Sequence, residues 1–276
     1  MRQILHISDI HFGPHHACEV AAGVLDLVER RKPDLVAISG DLTQRAKPWQ
    51  FRQARAFVDR LAAPAIVVPG NHDVPMYRFW ERVFRPYGAY RKHFAAELEP
   101  VVEDDEMLVV GINSAHNWTV KDGRIRSSRL RQVAAMLEAA PSGQAKIVVV
   151  HHELVPAPRF DTQSVLSGSR EAVEVFARRG VELVLAGHLH QSYVMPSEAF
   201  YPLGQRPFMI IHAGTTTSHR GRGSERRRYT CNWVRIEGDE IAVSHLGWDA
   251  DAGGFMVRSR HHFPRRGREP YGLEVL

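Results

Sequence analysis

Val68-Pro69-Gly70-Asn71-His72-Asp73 sets an amide, an imidazole and a carboxylate directly behind the apolar run Ala65–Val68. A short apolar run before a glycine predicts a strand end, with the polar residues in the turn beyond it. Gly70 lets the backbone leave the strand sharply and lets another group approach closely, which a Cβ would obstruct. The amide oxygen of Asn71 is a neutral hard ligand, His72 can bind a metal or carry a proton, and Asp73 can fix an imidazole tautomer. Three polar turn residues alone do not make a site, but the same arrangement recurs at four other predicted strand exits.

Upstream, Ile4–Ile7 predicts a strand followed by Asp9 and His11, two apart and able to face one side. A helix is predicted over Cys18–Arg31, with Val20, Val24 and Val28 on one stripe and Pro33 ending it. Leu35–Ile38 is a second buried strand with Ser39-Gly40-Asp41 at its exit, and residues 48–62 form a second helix. Strand, helix, strand, helix, strand predicts a parallel or mixed α/β sheet.

Downstream, residues 76–96 predict an aromatic-rich helix broken near Pro86, whose Phe79, Trp80, Val83, Phe84 and Tyr87 form core or a lid. Met107–Ile112 is a strand, followed by a loop with His116, Asn117 and Trp118 and a helix over 127–140. The β-branched run Ile147–Val150 ends in His151-His152, and after a helix over Ser169–Arg179 the strand Val181–Ala186 exits into Gly187-His188-Leu189-His190. Phe208–Ala213, Cys231–Ile236 and Glu240–Leu246 are expected to be antiparallel and to complete a second sheet, the last two joined by a hairpin at Glu237-Gly238-Asp239. No linker divides the chain, so one domain is expected over 1–250, with 251–276 a tail of undefined structure.

The 276 residues, 44% apolar and 24% charged, are ordinary for a soluble globular protein. No apolar run approaches the roughly 20 residues of a membrane span, and Met1-Arg2-Gln3 leads straight into a strand, which makes the cytoplasm the expected location. Cys18 and Cys231 are too few and too far apart for a disulfide framework or a zinc knuckle and are expected to pack. The formal charge of +5 is concentrated in Arg220, Arg222, Arg226, Arg227 and Arg228 and in Arg258, Arg260, Arg265, Arg266 and Arg268. Such patches attract an anionic substrate, nucleic acid or lipid head groups, or are simply solvated faces.

Five predicted strand exits therefore carry Asp9 and His11, Asp41, Asn71 and His72, His151, and His188 and His190. In open α/β sheets the carboxyl ends of strands line the ligand crevice, so these groups are expected to meet in space. Carboxylates, an amide and imidazoles without thiolate suit Mn, Fe, Zn or Co rather than a soft cluster. Seven ligands exceed the needs of one ion and fit two if one carboxylate bridges, for which Asp41 is the natural residue.

The blocks Asp9-Ile10-His11, Gly40-Asp41, Gly70-Asn71-His72-Asp73, His151 and Gly187-His188-Leu189-His190 resemble, in order and spacing, those of the calcineurin-like metallophosphoesterase superfamily. The resemblance implies a four-layer α/β/β/α sandwich of two packed mixed sheets, holding two divalent or trivalent transition-metal ions, Mn, Fe or Zn. It implies Asp9, His11, Asp41 and His190 as ligands of the first ion, and Asp41, Asn71, His151 and His188 as ligands of the second. His72 would lie outside both, contacting phosphate and assisting the leaving group, with Asp73 orienting it; His152 is near the site but not among the ligands. Gln44 stands where purple acid phosphatases have a tyrosine, Glu153-Leu154 follow the paired histidines where many bacterial relatives have proline, and the segment 220–228 matches no motif of the family.

The first 190 residues resemble the bacterial class III cyclic-nucleotide phosphodiesterase branch. This implies that a metal-bridging hydroxide hydrolyses a small phosphodiester: a cyclic nucleotide, a glycerophosphodiester or a phospholipid head group. Phe79, Trp80 and Trp118 then either flank a base or belong to the core. A nuclease or phosphomonoesterase on the same site is the alternative, with nucleic acid not the favoured partner; a non-catalytic scaffold is at odds with the intact ligand set.

Overall fold

β1 (Arg2–Ile7) runs parallel to β2 (Leu35–Ile38), and β2 parallel to β3 (Ala65–Val67), in a computed structural model that describes residues 1–157, 165–201, 207–265 and 271–275. The crossovers are α1 (Cys18–Arg31) and α2 (Pro48–Val58). A second sheet contains β4 (Val101–Glu103), β5 (Met107–Ile112), β6 (Ala145–Val150), β7 (Leu183–Ala186), β8 (Tyr193–Pro196) and β9 (Met209–His212), in the order β4-β5-β6-β7-β9-β8. The chain then returns to the first sheet as β10 (Thr230–Glu237), β11 (Glu240–Asp249), β12 (Gly254–Pro264) and β13 (Tyr271–Val275), giving the order β13-β12-β11-β10-β1-β2-β3.

The period of two along each strand explains the layers. Leu5 and Ile7 of β1 and Val36 and Ile38 of β2 pack under Val24, Val28, Phe51 and Phe57 of α1 and α2, while Ile4, Leu35 and Ala37 point the other way. Those three meet Val109, Ile147, Val149 and Leu185 of the second sheet. Val148, Val150 and Val184 face the opposite side and are covered by Leu130, Val133, Val173 and Phe176 of α5 (Ser127–Ala139) and α6 (Ser169–Arg178). Strands apolar on both faces can only be buried on both, so two sheets stacked between two helix layers form the expected α/β/β/α sandwich.

Several expectations are corrected. Of the three late strands, β9 lies in the second sheet, parallel to β7 and antiparallel to β8, whereas β10 and β11 are antiparallel in the first sheet rather than completing the second. The reason lies in β1: its one edge is taken by β2, and the open edge accepts β10, whose Val234 and Ile236 complete the layer between the sheets. The unassigned residues after 250 supply β12, antiparallel to β11 across a register shift at His245/Leu246, and β13; Arg266 and Arg268 lie outside the described residues. β4 and β8 escaped the sequence because neither buries an alternating face.

The 76–96 segment divides into α3 (Phe79–Phe84) and α4 (Gly88–His93) around Pro86, which has no N–H to donate and disfavours helix at Arg85. Phe79, Trp80 and Phe84 are 64%, 71% and 70% exposed and Trp118 is 79% exposed, so these rings are not core. Buried Arg82 ties the two aromatic loops together by donating to the carbonyls of Pro75, Asn117 and Thr119. Among the described residues no helix is long and apolar enough to cross a membrane.

Candidate metal centre

The exits of β1, β2 and β3 and those of β6 and β7 lie at the same end of the sandwich, and main-chain hydrogen bonds zip them together. Asp9 N donates to Gly40 O (3.1 Å), His11 N to Asp41 O (2.9 Å) and Gly187 N to His151 O (3.0 Å). Asp9, His11, Asp41, His188 and His190 all adopt positive φ, at 51°, 50°, 53°, 72° and 58°. This left-handed conformation costs about 1–2 kcal/mol at a residue bearing a Cβ, and its concentration at five candidate ligands marks strain held in place by surrounding structure. Gly70 makes the close approach that its place in the turn suggested: a Cβ there would lie 2.1 Å from Asp41 Oδ1.

Each aspartate has one oxygen fixed and one left over. Asp9 Oδ2 accepts from Ser8 Oγ (2.7 Å) and His188 N (3.0 Å), and Asp41 Oδ1 accepts from His72 N (2.8 Å). Asp9 Oδ1 and Asp41 Oδ2 are buried with no hydrogen-bond partner. Around them, His190 Nε2 is 3.1 Å from Asp9 Oδ1, and His11 Nε2 is 3.6 Å from Asp9 Oδ1 and 3.7 Å from Asp41 Oδ2. The Nδ1 atoms of these rings face carbonyls, Thr43 O for His11 (3.4 Å) and Arg220 O for His190 (2.9 Å). Nδ1 therefore carries the proton, and the two Nε2 lone pairs face each other at 3.1 Å.

The second cluster repeats the design. His151 donates Nδ1–H to Ser39 O (2.7 Å), and its Nε2 lies 3.1 Å from Asn71 Oδ1 and 3.4 Å from Asp41 Oδ1. His188 Nδ1 lies 2.9 Å from Asn71 Oδ1 and 3.3 Å from His151 Nε2. His152, left outside the ligand set, packs against His188 with ring centroids 4.6 Å apart; Ser114 Oγ contacts its Nδ1 (2.7 Å), and its buried Nε2 has no partner. The structure thus brings all seven expected ligand residues together, with Asp41 presenting Oδ2 to the first cluster and Oδ1 to the second.

Facing lone pairs and orphaned carboxylate oxygens repel one another unless a cation sits among them, so the donor set fits metal binding. Its electrostatics agree. Burial raises the Asp9 pKa, yet the neighbouring histidines, His190 first, hold it well below the usual carboxylate range. Burial would lower the His151 pKa, but Asp41 and Asp9 lift it to about 10, so the pocket strongly favours positive charge at that ring. Burial and the nearby His151 push His188 down to about 3, leaving the ring neutral, the form in which an imidazole can bind a metal. Accordingly, Mn added to chelator-treated protein should raise the melting temperature, by about 2.7 kcal/mol of stability at a hundredfold excess over the dissociation constant; unchanged melting would count against a metal site here.

His72 stands beside the first cluster, its ring centroid 4.9 Å from that of His11. Asp73 does not orient it. The buried Asp73 carboxylate instead accepts from Gly70 N (3.0 Å), Leu42 N (3.1 Å), Thr43 N (2.9 Å) and Thr43 Oγ1 (2.9 Å), pinning the Asp41 loop to the turn after β3. Burial and then the Asp41 charge raise its pKa to about 7, against the pull of those donors. His72 Nδ1 is held by the main-chain carbonyl of Gln44 at 3.0 Å, and its Nε2 faces Arg220 Nη1 at 3.2 Å. Neither contact is legible in a motif: one partner is a backbone atom, and the other comes from the segment that matched nothing.

The sequence profile of the calcineurin-like phosphoesterase family matches residues 2–192. A protein of Synechococcus sp. named as a probable cyclic nucleotide phosphodiesterase is 31% identical over 63% of this chain and 64% of its own length, so the match spans under two thirds of that relative. A cAMP/cGMP dual specificity phosphodiesterase of Mycobacterium tuberculosis is 27% identical over 92% of this chain and 82% of its own. Among solved structures, a purple acid phosphatase from yellow lupin superposes with a TM-score of 0.72 at 10% identity, covering 96% of this chain and 54% of that one, which shows a shared fold.

Proposed function

Because the chain belongs to the calcineurin-like phosphoesterase family, and is a phosphoric ester hydrolase by that membership, we propose that it is a dinuclear-metal phosphodiesterase acting on a small diester. The observation that carries this reading is the orphaned pair Asp9 Oδ1 and Asp41 Oδ2, buried against the imidazole nitrogens of His11 and His190, with the other oxygen of Asp41 3.4 Å from His151 Nε2 of the second cluster. Asp9, His11, Asp41 and His190 would hold one ion, and Asp41, Asn71, His151 and His188 the other, with Mn, Fe or Zn suited to such donors. When bound, the two ions would supply Lewis acidity at the phosphoryl oxygens and an acidified water.

The protein's own groups do the rest. The carbonyls of Thr43, Arg220 and Ser39 fix the ligand tautomers by accepting Nδ1–H from His11, His190 and His151. His72, held through Nδ1 by Gln44 O, faces Arg220 with Nε2; burial lowers its pKa, so it would have to take up a proton at Nε2 to donate to the departing alkoxide. Asn71 Nδ2 donates to Val120 O (3.0 Å), which joins the site to the loop bearing the exposed Trp118. Arg82 of α3 fastens that loop to the helix bearing Trp80 and Phe84, and the exposed rings of the two segments would offer a surface to an organic arm of the substrate.

Both relatives named above are described as cyclic nucleotide phosphodiesterases, which supports a diester over a monoester; a glycerophosphodiester or phospholipid head group shares the scissile chemistry. Mn-loaded protein offered a cyclic nucleotide, a glycerophosphodiester, a generic aryl diester, the corresponding monoester and single-stranded DNA should turn over one or more small diesters fastest. Hydrolysis of the monoester alone would overturn the diesterase reading. Preferential cleavage of DNA, with affinity falling steeply as salt rises, would instead assign the exposed arginines to nucleic acid.

A further inference from the structure

The segment 220–228 matches no motif, yet its first residue reaches the centre from two sides. Arg220 O accepts Nδ1–H of His190 at 2.9 Å, and Arg220 Nη1 lies 3.2 Å from His72 Nε2. His72 Nδ1 faces a carbonyl and so carries the proton, which makes His72 Nε2 the acceptor and the guanidinium the donor. Only one of the five N–H groups of Arg220 is used in this contact. Among the described residues no carboxylate lies within salt-bridge distance of it; burial lowers its pKa, and the charges of Asp41 and Asp9 only partly oppose that. A half-buried arginine whose one side-chain contact is a weak neutral acceptor retains its planar fork for an anion.

The main chain behind Arg220 is tied down by hydrogen bonds. Buried Glu225 accepts from Ser192 Oγ (3.1 Å) and Thr230 Oγ1 (3.0 Å) and contacts His245 Nε2 (3.2 Å). Arg222 N donates to His190 O at 2.9 Å, and Arg228 N to Glu225 O at 2.9 Å. Gly221 leaves no room for a side chain, since a Cβ would fall 2.0 Å from Glu225 O. This scaffolding holds Arg220 alone against the centre, while Arg222, Arg226, Arg227 and Arg228 stay exposed.

We propose that Arg220 is a substrate-binding residue whose guanidinium leaves His72 Nε2 and takes a non-bridging oxygen of the bound phosphoryl group. The proposal rests on the reading of the site as a phosphoester centre. The exchange substitutes a hydrogen bond between opposite charges for one to a neutral acceptor and frees His72 Nε2 for the ester oxygen.

Orthophosphate binding to the Mn-loaded protein, followed by calorimetry and by inhibition of diester hydrolysis, tests this with Arg220→Ala, Arg220→Lys and the exposed control Arg226→Ala. Arg220→Ala should weaken phosphate binding and raise KM by about 10- to 100-fold, with metal content kept, Arg220→Lys partly restored and Arg226→Ala unchanged. Wild-type phosphate affinity in Arg220→Ala, alongside persistent hydrolysis, would overturn the proposal and leave the phosphoesterase reading standing. Lower melting temperature and metal content in Arg220→Ala, both repaired by lysine without recovery of phosphate affinity, would make the residue structural and also overturn it. A wild-type protein that binds phosphate through Arg220 without hydrolysing any ester would uphold the proposal and sink the diesterase reading; one that neither binds nor hydrolyses overturns both.

Discussion

Asp41→Asn should abolish turnover, by at least about 10³-fold, and reduce bound transition metal from two ions per chain to one or none, because several kcal/mol of charge stabilisation disappear with it. The substitution keeps the size of the side chain and an acceptor for His72 N, which donates to Asp41 Oδ1 at 2.8 Å, so the turn after β3 is preserved. What it removes is the one negative charge shared by both clusters, 3.7 Å from His11 Nε2 and 3.4 Å from His151 Nε2. The amide also brings an N–H toward atoms that already crowd as a donor set. Elemental analysis after Mn loading, with far-ultraviolet circular dichroism to confirm folding, reads the effect; two retained ions would contradict the bridging role.

The second large effect is on chemistry rather than metal. His72→Ala should lower kcat by about 10²- to 10⁴-fold, the usual contribution of a positioned acid, while metal content stays at its wild-type level. His72 Nδ1 is committed to Gln44 O and Nε2 to Arg220, so none of its ring atoms belongs to either cluster. A substrate with a good leaving group needs no proton on the departing oxygen, so the loss should shrink for an activated aryl diester compared with an alkyl one. Equal losses on both, or loss of metal with loss of the ring, would remove His72 from the acid role.

Much of this candidate site can be read from the chain because its proposed ligands stand at the ends of apolar strands. The runs Leu35–Ile38 and Ile147–Val150 are apolar at every position, which is possible only for strands covered on both faces, and the polar residues directly behind them had to lie at a common edge. Asp41, His151 and the His188/His190 pair could be placed on that ground alone. The direction of β9 could not: nothing in Met209–His212 distinguishes a parallel from an antiparallel partner, and the sheet that β10 joins depends on which edge of β1 is open.

Side-chain roles set by the main chain were the other hidden part. Asp73 follows His72 directly, which invites a His–Asp pairing, but four N–H and O–H donors from Gly70, Leu42 and Thr43 converge on the carboxylate and make it a loop clamp. Gln44 orients His72 through a carbonyl that any residue would supply, so its identity gave no signal. Arg220 contacts a residue 148 positions away and sits among four exposed arginines that resemble it in every respect the sequence records. The exposed rings of Trp80, Phe84 and Trp118 were legible as aromatic but not as surface, since α3 is only six residues long and carries no resolvable stripe.

Anomalous diffraction from a crystal of the Mn-loaded protein is the most direct test of the centre. Two peaks per chain are expected, roughly 3.5 to 4 Å apart, with Asp41 between them, Asp9, His11 and His190 around one, and Asn71, His151 and His188 around the other. A single peak, or peaks lying away from these side chains, would contradict the account.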